Sequence, residues 1–497
     1  MLGAAVLVSV AAILLGVAGW TGLSSGLSDS PILKRDKSGC PTAVHPIPSI
    51  EAVFPGESHA PGSTALLVVY SRARQLTLQV FRVGSERTPT IGNVTMNGVP
   101  VTRKRAVGPS AGNRVLQVLV GGWPSVLYFA RLVAVDGRVG FAPFVVRPER
   151  LGQHRVAVVL PTLTWQAYNM RDDDGDGKGD SWYAGGVKRV VRLDRPYLNR
   201  GVPPYFRCYD LPFLNWLART GREVDVLAQS DLERAPSAAD LIAAYDLIVF
   251  PGHHEYVTTR EYDLVEGYRD LGGSLMFLSA NNFFWRVVRV DNTIVKTEQW
   301  RDLGRPEAAL LGVQYRGNDG GRRRAPWALT SAPAARWVFA GTGLGPGEPF
   351  GDDWGIEIDD TDESSPSQVQ VLAEIPNLYG PGFTARMTYY ETEIGARVFS
   401  AGAFSIAGQI GEPHVSRVVA NLWRRLAGPS EEDLHFDVLC RSGSENHLIK
   451  ARGSRAVFVA RTRKTPFSGA FRRWSVPDRT GDLRLANSAR GFASSRD

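Results

Sequence analysis

Two side chains suited to acid–base or metal-binding chemistry stand two positions apart, at His253 and Glu255 in the stretch Gly252–Tyr256. A glutamate can serve as a hard anionic metal ligand or as a base, and a histidine can transfer protons near neutral pH. In a tight turn both can point into one small volume, which favours a catalytic or metal-binding site. The alternative is a surface turn whose glutamate caps the next helix, because short matches of this kind are weak evidence.

A second cluster of potential ligands is the acidic run from Asp172 to Asp180. Its carboxylates have the spacing of a calcium-binding loop, with a turn glycine at Gly177 and a backbone carbonyl at the following residue. Tyr183 stands where an EF-hand would have a bidentate glutamate, so we expect a structural calcium loop of another kind; the alternative is an exposed acidic loop. The expected calcium ligands are Asp172, Asp174, Asp176, Lys178 and Asp180.

The elements that must position these residues alternate between strand and helix patterns. Short apolar runs at 155–160, 224–227, 245–250 and 274–279 are separated by helix patterns, one from Leu211 to Thr220 and one that starts at Thr258 with a capping box to Glu261. This alternation predicts an α/β domain over residues 151–428 with a mostly parallel sheet covered on both faces. Ligands of such sheets bind beyond the carboxyl ends of the strands, where His253, Glu255 and Asn281 stand.

The residues before this domain have other patterns. Residues 61–150 contain short β-branched and aromatic runs separated by turn residues, which predicts a small antiparallel β-sandwich domain. Residues 31–60 are rich in Pro, Ser and Gly and are predicted to be a linker. Residues 1–30 include a long uncharged apolar run, typical of a signal peptide or a membrane anchor. We therefore expect an exported protein, secreted or anchored, that meets the membrane only through this segment.

The net charge of +7 is concentrated at the end of the chain. Residues 438–497 have 13 Lys and Arg against 4 Asp and Glu, so residues 1–437 sum to −2. The basic segment 429–497 has no aromatic periodicity and is predicted to be a disordered tail, and we expect no nucleic-acid partner. Three cysteines, Cys40, Cys208 and Cys440, support neither a disulfide framework nor a cysteine-ligated metal, although one disulfide is compatible with export.

Several of these motifs together resemble one known family. The Tyr168-Asn169 pair, the Arg195-Pro-Tyr197 stretch, the turn at Gly252–Tyr256 and the run from Gly272 to Asn281 resemble the large (beta) subunit of N,N-dimethylformamidase and the proteins that share its C-terminal domain. The resemblance covers roughly residues 50 to 428 and implies a sheet of the glutamine-amidotransferase-like type. The sequence departs from the pattern of this family in two places. The acidic loop replaces a Trp-Gly-Gly stretch, and His254 stands where an aspartate is usual.

The resemblance also implies an amide hydrolase with a mononuclear iron held by two tyrosines and a glutamate. Tyr168 and Glu255 match two of the ligands, and the second tyrosine is Tyr197 or Tyr209. His253 matches the neighbouring catalytic histidine. Further groups that face the substrate would be Asn281 and Glu357, with Glu391 as an alternative second carboxylate.

The resulting hypothesis is a metal-dependent hydrolase that cleaves a C–N bond in a small-molecule amide. The family also implies a small partner subunit or a homo-oligomer. The alternative is a non-enzymatic, exported protein that binds a ligand or carbohydrate on the same fold. The two hypotheses differ in whether Tyr168, His253, Glu255 and a second tyrosine converge within a few ångströms, because the ligands of one metal ion must do so.

Overall fold

The structure is a computed structural model in which residues 49–428 are described, apart from 72, 74, 87–91, 109–112 and 185–189. Four short strand segments outside this range are also described, at 33–35, 41–43, 435–442 and 445–452. All of these residues belong to one compact unit, Leu33–Asp497. The predicted signal peptide or anchor at 1–30 and most of the predicted tail at 429–497 lie outside the described residues. Within the described part of the chain, no helix has both the length and the apolar character needed to cross a membrane.

Residues 61–150 are built from β-strands, as their sequence predicts, and four further short strands lie in the predicted linker at 31–60. The strands described there are β1 (Leu33–Arg35), β2 (Pro41–Ala43), β3 (Glu51–Val53), β4 (Ser58–His59), β5 (Thr64–Tyr70), β6 (Leu76–Arg82), β7 (Val99–Pro100), β8 (Arg105–Val107), β9 (Arg114–Leu119), β10 (Val126–Ala134) and β11 (Val139–Val146). One sheet has the order β3-β5-β9 and a second has the order β4-β11-β10-β6-β7, with β8 also paired to β6. Apart from the parallel pair β4 and β11, the pairs of these two sheets are antiparallel.

Both sheets contribute to one apolar cluster, which includes Leu67 and Val69 of β5 and Leu78 and Val80 of β6. Burial alternates along these strands, because successive side chains point to opposite faces of a sheet. The region is therefore two sheets with a shared core. Its assignment as a β-sandwich domain with a boundary at residue 150 stays a prediction.

Strands and helices alternate in the next part of the chain. Its elements are β12 (Val156–Leu160), α1 (Thr162–Ala167), β13 (Val190–Arg192), α2 (Phe206–Tyr209), α3 (Leu211–Thr220), β14 (Asp225–Ala228), α4 (Gln229–Glu233), α5 (Ala238–Ala244), β15 (Leu247–Phe250), β16 (Tyr256–Thr258), α6 (Thr259–Asp270) and β17 (Ser274–Phe277). The predicted helix boundaries at Leu211–Thr220 are confirmed, with Gly221 at a positive φ after the last residue. Half of the predicted capping box is found, since the Thr258 hydroxyl accepts a hydrogen bond from the Glu261 amide, whereas Glu261 Oε2 accepts a hydrogen bond from Gln229 Nε2 at 2.9 Å.

The rest of the described chain is mostly strand. It contains β18 (Trp285–Val290), β19 (Thr293–Gln299), a 3₁₀ helix (Trp300–Leu303), α7 (Glu307–Leu311), β20 (Gln314–Asn318), β21 (Arg324–Leu329), a second 3₁₀ helix (Pro333–Phe339), β22 (Pro349–Asp360), β23 (Gln370–Ile375), β24 (Ala385–Glu391), β25 (Arg397–Ser400), β26 (Ala403–Phe404), α8 (Pro413–Leu426), β27 (His435–Ser442) and β28 (Glu445–Arg452). The last two strands lie within the predicted tail and pair antiparallel.

The largest sheet is mixed. Strands β14-β12-β15-β17-β25 pair in parallel, and the sheet continues through β24-β23-β21-β22-β20 with antiparallel pairs, with β26 paired to β22. Every residue of β12, β14, β15 and β17 is buried, as expected for parallel strands covered on both faces. The mostly parallel sheet predicted from sequence is thus the parallel half of a larger mixed sheet. The more specific glutamine-amidotransferase-like type stays a prediction.

A smaller sheet with the order β13-β19-β18-β16 contributes residues beyond the carboxyl ends of the parallel strands. Its strand β16 begins directly after Glu255, so the turn with His253 and Glu255 runs from β15 of the large sheet to β16 of the small one. The two sheets therefore hold both ends of this turn.

Candidate active site

A cavity of about 560 Å³ is lined by residues that follow the parallel strands. Tyr168 follows β12 and α1, His253 and Glu255 follow β15, and Asn281 follows β17. Glu357 of β22 and Phe404 of β26 close another side. The full lining consists of Pro161, Thr164, Trp165, Tyr168, Tyr183, Pro204, Tyr205, Tyr209, Asp210, His253, Glu255, Asn281, Phe284, Trp285, Lys296, Tyr315, Asn318, Gly320, Ile356, Glu357 and Phe404. The cavity lies where ligands bind in open α/β sheets.

Three oxygen-bearing side chains meet in this cavity. The Tyr168 hydroxyl donates a hydrogen bond of 2.8 Å to Glu255 Oε2, and the Tyr183 hydroxyl lies 3.0 Å from both carboxylate oxygens of Glu255. The two phenol rings stack with their centroids 4.3 Å apart. The Tyr256 hydroxyl also contacts the Tyr183 hydroxyl. Two cavity-lining phenols and a carboxylate thus share one small volume, with the third phenol, Tyr256, beside them.

Burial raises the pKa of Tyr168 and of Tyr183, and the nearby Glu255 carboxylate raises both further. In the absence of a cation the phenols therefore stay protonated and serve as donors to Glu255. A bound cation would reverse this preference, because it favours phenolate over phenol.

His253 lies between two carboxylates. Its Nε2 is 3.2 Å from Glu255 Oε2 and 3.5 Å from Glu357 Oε2, and its Nδ1 is 3.2 Å from the Ala280 carbonyl oxygen. Burial disfavours the charged imidazolium, but Glu357 and Glu255 outweigh it and raise the pKa of His253 to about 9. The contact at Nδ1 orients the ring so that Nε2 faces the carboxylates.

Glu357 is held by two amides. Asn281 Nδ2 donates to Glu357 Oε2 at 2.9 Å and Asn318 Nδ2 donates to Oε1 at 2.8 Å. Burial raises the pKa of Glu357, and His253 opposes that shift. Asn281 has a positive φ of 53°, and its backbone N–H donates to Asp359 Oδ1 at 2.9 Å. This strained residue is therefore fixed by Asp359 and orients Glu357.

The predicted catalytic residues His253, Asn281 and Glu357 are thus brought together with Tyr168 and Glu255. Their roles stay predictions. The tyrosine of the cavity lining that joins Tyr168 at Glu255 is Tyr183.

The other predicted candidates are found at three different places. Tyr197 lines a separate small pocket beside Trp165 and Arg195, and Tyr209 lines the main cavity with its ring stacked on Phe404 at 5.1 Å. The alternative carboxylate Glu391 is outside the cavity lining. It contacts the Tyr389 hydroxyl and lies 3.7 Å from Arg397 and 3.5 Å from Arg425.

The acidic loop connects the two tyrosines that meet at Glu255. Carboxylate oxygens of Asp172, Asp174 and Asp176 lie within 4.8 Å of one another, and Gly175 and Gly177 have positive φ angles. Asp180 is positioned differently, since its Oδ2 accepts a hydrogen bond of 2.6 Å from the Asp173 amide.

Arg195 ties this loop to the helix that carries Tyr168. Its buried guanidinium donates to the carbonyl oxygens of Asp180 and Gln166, each at 2.8 Å. The loop is therefore attached at its base to α1.

The lining includes four polar or charged residues that are not among the sites predicted from sequence and that bear on the chemistry: Tyr183, Asp210, Lys296 and Asn318. Asp210 Oδ2 accepts a hydrogen bond of 3.0 Å from Trp165 Nε1, and burial raises the pKa of this carboxyl to about 7. Lys296 Nζ lies 4.5 Å from the Trp285 ring centroid and 5.3 Å from that of Trp182, and burial lowers its pKa. Only Tyr183 carried a sequence signal, since it directly follows the acidic loop. The other three come from separate elements whose meeting depends on the tertiary fold.

Comparison with known families gives a match over most of this region. A model of the family described as "N,N-dimethylformamidase beta subunit-like, C-terminal" matches residues 116–416. The N,N-dimethylformamidase beta subunit of Alcaligenes sp is 32% identical over 129 residues, which is 25% of this chain and 16% of that protein. The protein of the same name from Paracoccus aminophilus is 31% identical over 126 residues, 24% of this chain and 16% of its own. The aligned part of the chain thus spans 16% of the length of these relatives.

Solved structures give only weak local similarity. An uncharacterized protein from Bacillus anthracis str. Ames is 8% identical with a TM-score of 0.15, over 19% of this chain and 78% of its own. A superoxide reductase (neelaredoxin) from Ignicoccus hospitalis is 15% identical with a TM-score of 0.14, over 20% of this chain and 79% of its own. TM-scores this low carry no inference about fold or function.

Proposed function

The chain belongs to the N,N-dimethylformamidase beta subunit-like C-terminal family, and from this premise we propose that it is a metal-dependent hydrolase of an amide C–N bond. The observation that carries the proposal is the convergence of Tyr168, Tyr183 and Glu255 in one cavity with His253. The alternative, a protein that only binds a ligand, has no need for three such oxygens at one point.

The donor set fits an iron ion. Phenolate and carboxylate oxygens are hard anionic donors, which suit ferric iron better than a soft metal. Tyr168, Tyr183 and Glu255 would hold the ion. When bound, iron would supply Lewis acidity that polarises the amide carbonyl or a water molecule.

The proton transfers of hydrolysis fall to His253 and Glu357. Hydrolysis forms a bond between the water oxygen and the carbonyl carbon, breaks the C–N bond and places a proton on the departing nitrogen. Glu357, oriented by Asn281 and Asn318, is placed to accept a proton from water. His253 Nε2, 3.5 Å from that carboxylate, is placed to pass a proton to the leaving nitrogen. The Glu357 side chain is buried and the His253 side chain is 11% exposed, which limits competition from bulk water.

Three further features complete the proposal. A calcium ion at Asp172, Asp174 and Asp176, whose carboxylates converge, would stabilise the loop between the two tyrosines. An exported location is supported by the disulfide at Cys208, because disulfides persist in oxidising compartments. A partner subunit is supported by the two relatives, each of which is named a beta subunit.

A second candidate is a non-enzymatic, exported protein that binds a ligand or carbohydrate. The aromatic lining of the cavity, with Trp165, Tyr205, Phe284 and Phe404 among others, is the observation that favours it.

Metal analysis of the purified full chain tests the proposal against this alternative. We expect about one iron ion per chain in the unaltered protein. The Glu255→Ala variant should lose this iron, while Glu391→Ala, which removes a tyrosine-bonded glutamate outside the cavity, should keep it. Iron absent from the unaltered protein, or unchanged in Glu255→Ala, would exclude the proposed centre. If the unaltered protein releases amine from one or more amides of a panel and Glu255→Ala does not, the protein is a hydrolase that depends on this site.

A further inference from the structure

The cavity contains a cationic side chain that the proposed reaction does not use. Lys296 projects from β19 of the small sheet and is part of the cavity lining. Its Nζ lies over the rings of Trp285 and Trp182, at 4.5 Å and 5.3 Å from their centroids. An ammonium group over two indoles is placed by cation–π attraction and by packing.

Lys296 has no anionic partner within the part of the chain that the structure describes. Neither an ion pair nor a hydrogen bond joins its ammonium group to a described residue. Glu255 is close enough to favour the charged form of Lys296, but its carboxylate oxygens are already engaged by Tyr168, Tyr183 and His253. A half-buried cation that no described residue pairs with is suited to bind an anionic group of a ligand.

The size and walls of the cavity limit what that ligand can be. A volume of about 560 Å³ is in the range of pockets that hold drug-sized molecules, which is far more than an amide of a few atoms needs. The cavity lining includes Trp165, Phe284, Tyr315 and Phe404, which suit an apolar or aromatic group. Most of the volume would stay unfilled with a very small amide.

We propose that the substrate is a carboxylate-bearing amide with an apolar or aromatic group, in which Lys296 binds the carboxylate and the aromatic walls enclose the rest. This substrate class rests on the proposed function, because it places the amide bond beside Glu255 and His253. N-acyl amino acids have this combination of groups.

Calorimetric binding to the full chain tests the role of Lys296 through affinity rather than rate, with the heat of any hydrolysis of the probes measured separately and subtracted. The probes are N-acetyl-, N-phenylacetyl- and N-benzoylglycine, each compared with its uncharged methyl ester. We expect each acid that binds to do so on the order of tenfold or more tightly than its ester. Lys296→Met should remove this preference and leave the affinity for the ester unchanged, which also shows that the variant is folded. Lys296→Arg should keep part of the preference, and Lys104→Met, which removes an exposed lysine elsewhere, should keep all of it.

Three outcomes would overturn the proposal: no binding of any of the acids, equal binding of acid and ester by the unaltered protein, or a preference for the acid that survives in Lys296→Met. A preference that disappears in Glu255→Ala but not in Lys296→Met would assign the carboxylate to the metal instead. Failure of the proposed function is separately visible. In that case the chain would contain no iron and hydrolyse none of the probes, while the Lys296-dependent preference in binding would remain and would support the subsite alone.

Discussion

Tyr168 and Tyr183 stack at 4.3 Å and direct their hydroxyl groups to the same carboxylate, Glu255, although the acidic loop separates them in sequence. The pair replaces the one expected from sequence, in which Tyr197 or Tyr209 would join Tyr168. This relationship makes the identity of the second ligand testable.

Removal of one hydroxyl group should distinguish these tyrosines. We expect Tyr183→Phe to lower iron content and to weaken the visible absorption that a ferric phenolate produces, because it removes one of the three proposed ligand oxygens. Tyr197→Phe, in the separate small pocket, should leave both unchanged and is the matched control. Iron analysis and absorption spectra of the two variants measure the iron content and the phenolate absorption. Loss of iron in Tyr197→Phe but not in Tyr183→Phe would instead indicate Tyr197 as the second tyrosine ligand.

Glu357→Gln should separate proton transfer from metal binding. The substitution keeps the shape of the side chain but removes the base held by Asn281 and Asn318. We expect the iron content to stay unchanged and kcat for amide hydrolysis to fall on the order of 10²- to 10⁴-fold. Steady-state kinetics of amine release, with iron content measured on the same sample, provide the comparison. A variant that loses iron as well would show that Glu357 acts on the metal rather than on a proton.

Sequence patterns located the candidate site better than they described its composition. The alternation of strands and helices predicted where the parallel strands end, and His253, Glu255 and Asn281 stand together there in the structure. Local patterns predict these positions together with the rule that ligands of such sheets bind beyond the carboxyl ends of the parallel strands. The antiparallel half of the large sheet was not foreseen, because short alternating strands late in the chain do not reveal which sheet they join.

Lys296 and Asp210 show what local patterns cannot provide. Lys296 belongs to a strand of the small sheet and Asp210 precedes α3, and neither stands in a motif. Their approach to the cavity depends on how separate elements pack. The position of Tyr183 is predictable in part. The sequence shows that it follows the acidic loop, but not that the loop brings it back to Tyr168.

His59 should make the stability of the protein decrease in acid. Burial against Phe54 and Phe144, with a smaller effect of Arg147, lowers the pKa of His59 to about 4. Between the ordinary histidine pKa of about 6.5 and this value, the unfolded chain binds a proton that the folded chain does not. The contribution of neutral His59 to the free energy of unfolding is therefore fully present above about pH 6.5. It is lost as the pH falls to about 4, and the loss is on the order of 2 to 3 kcal/mol.

Urea unfolding of the unaltered protein and of His59→Gln at several pH values measures this contribution. The free energy of unfolding of the variant should fall less steeply between pH 6.5 and 4. His414→Gln is the control, since the His414 side chain is 42% exposed. If the free energy of unfolding falls equally steeply with pH in the unaltered protein and in His59→Gln, His59 is not the cause of the loss of stability in acid.

Calcium should stabilise the protein through the acidic loop. Asp172, Asp174 and Asp176 have converging carboxylates that repel one another unless a cation lies between them. After dialysis against calcium-free buffer, added calcium should raise the free energy of unfolding by about 2.7 kcal/mol when its free concentration is about 100-fold above Kd. Asp176→Asn should reduce this response, whereas Glu149→Gln, which changes an exposed carboxylate elsewhere, should preserve it. Because the loop joins Tyr168 to Tyr183, its loosening should also weaken iron retention. Thermal unfolding and iron content measured with and without calcium test both effects, and a midpoint that calcium does not move would show that the loop is only an acidic surface segment.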